Sequence, residues 1–169
     1  MSKIKVGNVL FNVLAIVTVI AVLFVTVNLV TGTKGYAVTS DSMAETLTRG
    51  DVVFSKKVSF EELKAGDVIT VRVSDAGYFT HRIVDIDADS KTVMTKGDAN
   101  DANDPMPTQA DMIVGRMVYS IPLLGYISIA LGGKSGLVLP IILIIIAAAL
   151  IAANTLIKGK QKMRGDDNE

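Results

Sequence analysis

The sequence predicts a mainly β extracytoplasmic domain flanked by two transmembrane helices, and three features predict it. Half of the 169 residues are apolar, more than a water-soluble protein of this length usually carries. The excess is concentrated in two uncharged blocks, residues 9–30 and 137–157. Between them, short apolar runs of period two are separated by Gly, Asp, Asn and Ser, a texture of strands and turns.

Residues 1–8 form a short N-terminal segment carrying Lys3 and Lys5, and the first block follows it. At about 1.5 Å per residue, a helix over either block reaches about 30 Å, the thickness of the hydrocarbon core. Asn12, Thr18, Thr26 and Asn28 interrupt the first block; such groups bond within the helix or to a neighbour. A cleavable signal peptide also begins with lysines before an apolar run. Here the run is too long, and Thr31-Gly32-Thr33-Lys34-Gly35-Tyr36 offers no clear small-residue cleavage site; the segment reads as an uncleaved anchor.

Residues 31–136 make up the central domain. Its alternation predicts strands over 51–56, 67–73, 78–85, 92–95 and 112–120, with a helical turn over 60–64. Residues 121–127 are apolar but too short and too broken by Pro122 and Gly125 to span. They either lie against the membrane surface, where Tyr126 would suit the interface, or form a buried strand end leading into the second block. In that block, Pro140 falls in the first helical turn, where its missing N–H costs little. The tail, residues 158–169, carries Lys158, Lys160, Lys162 and Arg164. Basic residues beside both spans place both termini in the cytoplasm and the central domain on the outer face of the plasma membrane.

Composition narrows the chemistry. With no cysteine, disulfides, thiol catalysis and thiolate metal sites are excluded. One histidine cannot build a zinc site of neighbouring His and Cys ligands. Residues 31–136 hold 11 basic and 14 acidic side chains, a balance that disfavours nucleic acid. There is no nucleotide fingerprint and no repeat. Covalent catalysis by serine remains open, although a turn serine such as Ser42, taken alone, usually bonds only local backbone. A lone histidine on a strand, as His81, is by itself more often a satisfied core residue.

Four segments in order, Ser40-Asp41-Ser42-Met43, Arg49-Gly50-Asp51-Val52-Val53, Thr80-His81-Arg82-Ile83 and Thr95-Lys96-Gly97-Asp98-Ala99-Asn100, resemble the motifs of signal peptidase I. Histidine where the common bacterial enzymes have lysine makes the chain similar to the ER-type branch found in eukaryotes, archaea and some Gram-positive bacteria. The resemblance implies an antiparallel β fold shared with LexA-like proteases, no cofactor, and precursor proteins bearing signal peptides as substrates. It also implies roles. Ser42 is the nucleophile, and His81 is the general base that later protonates the leaving amine. Asp98 and Asp104 fit the spacing of the family's acidic pair, with Asp104 expected to orient His81 and Asp98 to support it. The Ser42 N–H and the Ser40 hydroxyl are expected to hold the oxyanion.

Two positions depart from the family pattern: Asp41 replaces a usual glycine and Glu45 a usual proline. The run 98–104 also begins like an EF-hand, but Ala102, Asn103 and Gln109 stand where that loop needs a ligand, a glycine and a bidentate glutamate. The rival to an enzyme is a non-catalytic, membrane-tethered β module that binds a partner protein.

Overall fold

The computed structural model describes residues 2–74, 77–126, 144–152 and 155. Its contacts divide the chain into two units, Asn28–Val138 and a second made of Met1–Val27 with Leu139–Glu169.

The first apolar block lies in helix α1 (Ser2–Thr31). Its stretch Asn12–Thr31 is the one helix among the described residues that is long and apolar enough to cross a membrane. Three of the polar interruptions, Thr18, Thr26 and Asn28, are hydrogen-bonded as short polar groups in a helix usually are. Thr18 and Thr26 donate to the carbonyls of Leu14 and Val22, each at 2.8 Å. Asn28 is buried and accepts a 2.8 Å hydrogen bond from the Tyr119 hydroxyl. Of the second apolar block, residues 144–152 and 155 are described and helical. The remainder of 137–157, Ile127 and the basic tail lie outside the described residues.

Seven strands follow α1: β1 (Thr33–Ala37), β2 (Val52–Lys56), β3 (Val68–Ser74), β4 (Gly77–Asp87), β5 (Thr92–Lys96), β6 (Thr108–Gln109) and β7 (Ile113–Ile121). They form one sheet in the order β1-β2-β7-β3-β4-β5-β6, and every pairing is antiparallel. The five expected strands are present, each with ends moved by one or two residues. Two strands, β1 and β6, are additions to that expectation. The expected turn over 60–64 is a 3-10 helix, Phe60–Glu62, closed by a capping box between Ser59 and Glu62.

Alternation along β3 directs side chains to both faces of the sheet, and both faces are covered. Ile69 and Val71 join Leu63, Ile83 and Val93 in one buried cluster. Val68, on the other face, joins Val53, Met43 and Leu47 in a second. The second cluster positions the site, because Met43 and Leu47 belong to the loop between β1 and β2.

Residues 121–126 finish β7 and turn back. Ile121 closes the strand, Leu123 and Tyr126 are exposed, and the Gly125 N–H donates to the Gly50 carbonyl at 2.7 Å. Gly50 has φ +96°, and its missing Cβ leaves the space that the Tyr126 ring occupies. Any larger residue at position 50 would collide with that ring and strain the backbone.

Candidate active site

Ser42 sits on the loop joining β1 to β2. The loop is pinned at its base, where Val38 N–H donates to Asp51 and Gly50 N–H donates to Val38, at 2.8 and 2.9 Å. Asp51, itself buried, accepts from the Thr48 N–H and hydroxyl and from the Leu123 N–H. A short turn runs through the nucleophile segment, with the N–H groups of Thr46 and Leu47 both donating to the Met43 carbonyl. Burial of Met43 and Leu47 anchors this turn to the sheet. Ser42 is left half-buried between two anchored ends, while Asp41 and Glu45 point to solvent.

His81 comes from the middle of β4, opposite Ile69 of β3. Its ring packs at 4.9 Å from that of Phe79, and its side chain is 11 % exposed. Nε2 lies 3.1 Å from Ser42 Oγ, and Nδ1 lies 2.7 Å from Asp104 Oδ2. The three side chains therefore stand in one hydrogen-bonded line drawn from three separate parts of the chain.

Asp104 owes its position to β5. Its N–H donates to the Thr95 carbonyl at 2.8 Å, and the buried Thr95 hydroxyl donates to the same Oδ2 that faces His81, at 2.6 Å. Asp98 takes a different partner. Arg82 Nε and Nη2 donate to its two oxygens at 2.8 and 2.6 Å, a bidentate arrangement of the strong kind, and the Thr46 hydroxyl adds a third bond. The Arg82 hydrogen bonds hold the Asp98 carboxyl below the usual carboxylate range and push the Arg82 guanidinium up. Asp98 thus makes no hydrogen bond to His81; it ties β4 to the loop of Ser42 through Thr46.

The segment after β5 also grips the serine loop directly. Ala99 N–H donates to the Ser42 carbonyl at 2.9 Å, and Asp98 N–H points at Met43 Sδ at 3.3 Å. A Cβ on Gly97 would stand 2.5 Å from the Ser42 carbonyl oxygen, so the approach needs glycine. Ser40 Oγ is 3.3 Å from Ser42 Oγ and exposed. A small groove of about 60 Å³ opens beside Ser42, walled among others by Tyr36, Val38, Leu47 and Tyr78.

The geometry can carry proton transfer from a hydroxyl to an imidazole oriented by a carboxylate, within the usual reach for such groups. Thr95, Arg82 and Thr46 hold the acidic residues, and sequence reasoning gave none of them a role; Thr95 and Arg82 lie inside the motifs, and only the folded chain shows what they touch. Among the described residues no group of three or more His, Cys, Asp or Glu could hold a metal ion.

A hydroxyl, an imidazole and a carboxylate in line beside a narrow groove is an arrangement that serine hydrolases of unrelated folds use. The sequence pattern of the family described as "Signal peptidase, peptidase S26" matches residues 10–102, and the chain belongs to that family. The match runs from the apolar helix through Ser42, His81 and Asp98 and stops short of Asp104. No curated protein matches the chain.

Proposed function

We propose that this protein is a membrane-anchored serine endopeptidase that removes N-terminal signal peptides, of the ER-type branch of its family. The observation that carries the reading is the line Ser42–His81–Asp104, at 3.1 and 2.7 Å, inside a chain of the signal peptidase family. Serine is a weak nucleophile until a base takes its proton, and His81 Nε2 is the group within reach. Asp104 at Nδ1 favours the tautomer whose Nε2 is free to accept. Ser42 Oγ then attacks the scissile carbonyl, and His81 gives its proton to the leaving amine, the new N-terminus of the mature protein. Water repeats the cycle on the acyl-enzyme. The oxyanion is held by the Ser42 N–H with the Ser40 hydroxyl, a donor set that needs no metal and no cofactor.

The same reading assigns two spans, residues 9–30 and 137–157, with residues 1–8 and 158–169 cytoplasmic and residues 31–136 outside. The exposed apolar side chains along α1, Ile20, Leu23 and Val30 among them, favour lipid around it. Such an anchor keeps the groove at the bilayer surface, where a signal peptide's own apolar helix delivers the scissile bond. Ser42→Ala and His81→Ala are each expected to lower the cleavage rate of a secretory precursor in liposomes by about 10⁶-fold, with thermal unfolding unchanged. Wild-type cleavage by either folded variant would overturn the assignment of Ser42 and His81, whereas no cleavage by the wild type itself would return the protein to the class of non-catalytic partner-binding modules.

A further inference from the structure

A second cleft, about 370 Å³ in volume, shares Tyr36 as a lining residue with the groove beside Ser42. Three cations line it: Lys34 of β1, Lys57 just past β2, and Arg72 of β3. All three are exposed, and among the described residues none forms an ion pair or a side-chain hydrogen bond. One carboxylate, Asp111, shares the wall, so the cleft keeps a positive excess. Ser55, which also lines it, is already bonded to Thr70 at 2.8 Å, and the Tyr36 hydroxyl completes the polar lining. Unpaired like charges gathered in one concavity repel one another, and an anion that enters relieves the repulsion.

Position identifies the anion. Gly32, the residue directly after the candidate span Asn12–Thr31, also lines the cleft, and Lys34 follows two positions later. The last turn of α1 is fastened to the sheet by the Tyr119–Asn28 hydrogen bond. If α1 crosses the bilayer, Gly32 and Lys34 are the first lining residues to follow the hydrocarbon span in the chain, within reach of the lipid phosphates. We infer that Lys34, Lys57 and Arg72 bind the phosphate headgroup of an anionic phospholipid, and that this lipid, touching Tyr36, buttresses one wall of the peptide groove. The inference rests on the membrane-anchored reading of α1.

The test uses the full chain in neutral detergent, with retention of added phosphatidylglycerol or phosphatidylcholine followed by native mass spectrometry. The wild type is expected to keep one phosphatidylglycerol in preference to phosphatidylcholine. The Lys34→Gln/Lys57→Gln/Arg72→Gln variant should lose that preference. At a factor of roughly five per surface cation, its affinity falls on the order of a hundredfold. The charge-preserving variant Lys34→Arg/Lys57→Arg/Arg72→Lys should keep the lipid, and so should Lys64→Gln/Lys91→Gln, which removes two cations elsewhere. Equal retention by wild type and the triple Gln variant would overturn the proposal, as would equal loss from the Lys64/Lys91 control. Displacement of the lipid by millimolar inorganic phosphate would mean that the cleft takes any free anion. If the triple Gln variant keeps its lipid but slows only precursors with acidic residues beside the scissile bond, the cleft reads substrate and the lipid assignment is wrong. Flotation with neutral phosphatidylcholine vesicles separates the two readings: a protein that floats without preferring phosphatidylglycerol sinks this inference alone, whereas one that fails to float sinks the anchor.

Discussion

Asp98 and Asp104 lie in the same loop and differ in what answers their charge. Arg82 meets Asp98 with two hydrogen bonds, so that carboxylate is neutralised before it can serve the imidazole. Asp104 has no guanidinium, and its Oδ2 is shared between His81 and the Thr95 hydroxyl. Thr95→Val keeps the shape and removes the donor. We expect kcat to fall about tenfold, the lower end of what a lost hydrogen bond to a charged group is worth, with KM little changed and Thr95→Ser near wild type. Unchanged kcat in the valine variant would show that Asp104 is held without that hydroxyl. Asp98 makes a different prediction. Because Arg82 lowers its folded pKa, the unfolded chain takes up the proton first as pH falls. The pair's stabilisation is therefore complete above about pH 4, the unfolded carboxyl value, and is lost as pH drops through the lower folded value. Its Asp98 side chain is 10 % and its Arg82 side chain 35 % exposed, which places its worth between exposed and buried pairs, at about 2 kcal/mol. Asp98→Asn should thus be less stable than wild type at pH 7, with the gap closing below pH 4 in denaturant titrations. A gap that stays constant through that range would show that the ion pair is not its source.

The elements that matter most to the site are the loop between β1 and β2 and the segment after β5, because each is shaped by the other. Gly97 faces the Ser42 carbonyl so closely that a methyl group would meet backbone at 2.5 Å, and backbone yields less readily than a flexible side chain. Gly97→Ala should push the serine loop outward, costing about 1–3 kcal/mol in stability and on the order of a hundredfold in kcat, as a displacement near 1 Å can. Thermal melts and precursor cleavage together check this; a stable, fully active variant would mean that the loop is set by Met43 and Leu47 alone. The same two elements show what could be read from the chain. Five strands announced themselves through alternating Val, Ile and Thr, but β1 did not, since Lys34 and Gly35 break its pattern and it gains its conformation by pairing with β2 at the sheet edge. β6 has two residues, too few for any period. Ser42 and His81 stood out because the motifs fall in order and the chain has a single histidine. His81 was expected as the partner of Asp104, but Arg82 and Thr46 on Asp98 and Thr95 on Asp104 could not be read, because they depend on the register of β4 against β5, where Arg82 lies opposite Lys96 and Ile83 opposite Thr95.

At the scale of the whole molecule the function depends on which side of a membrane each segment occupies. A signal peptide is cut after its apolar helix has entered the bilayer, so a catalytic unit on the outer face with both ends inside meets the bond without extracting the substrate. Two spans are required for that arrangement, and the basic residues at Lys3, Lys5 and 158–164 favour it. The absence of cysteine makes the topology directly measurable with single introduced thiols. Ala88 is exposed in the turn between β4 and β5, and Ala88→Cys should react with a membrane-impermeant maleimide in intact cells. Ser2→Cys and Asp167→Cys should react only after the membrane is opened. Labelling of position 167 from outside would mean that the second apolar block does not cross, leaving a single anchor. Labelling of position 2 from outside would invert the first span and put the Ser42 loop on the cytoplasmic face, where no exported precursor presents its cleavage site.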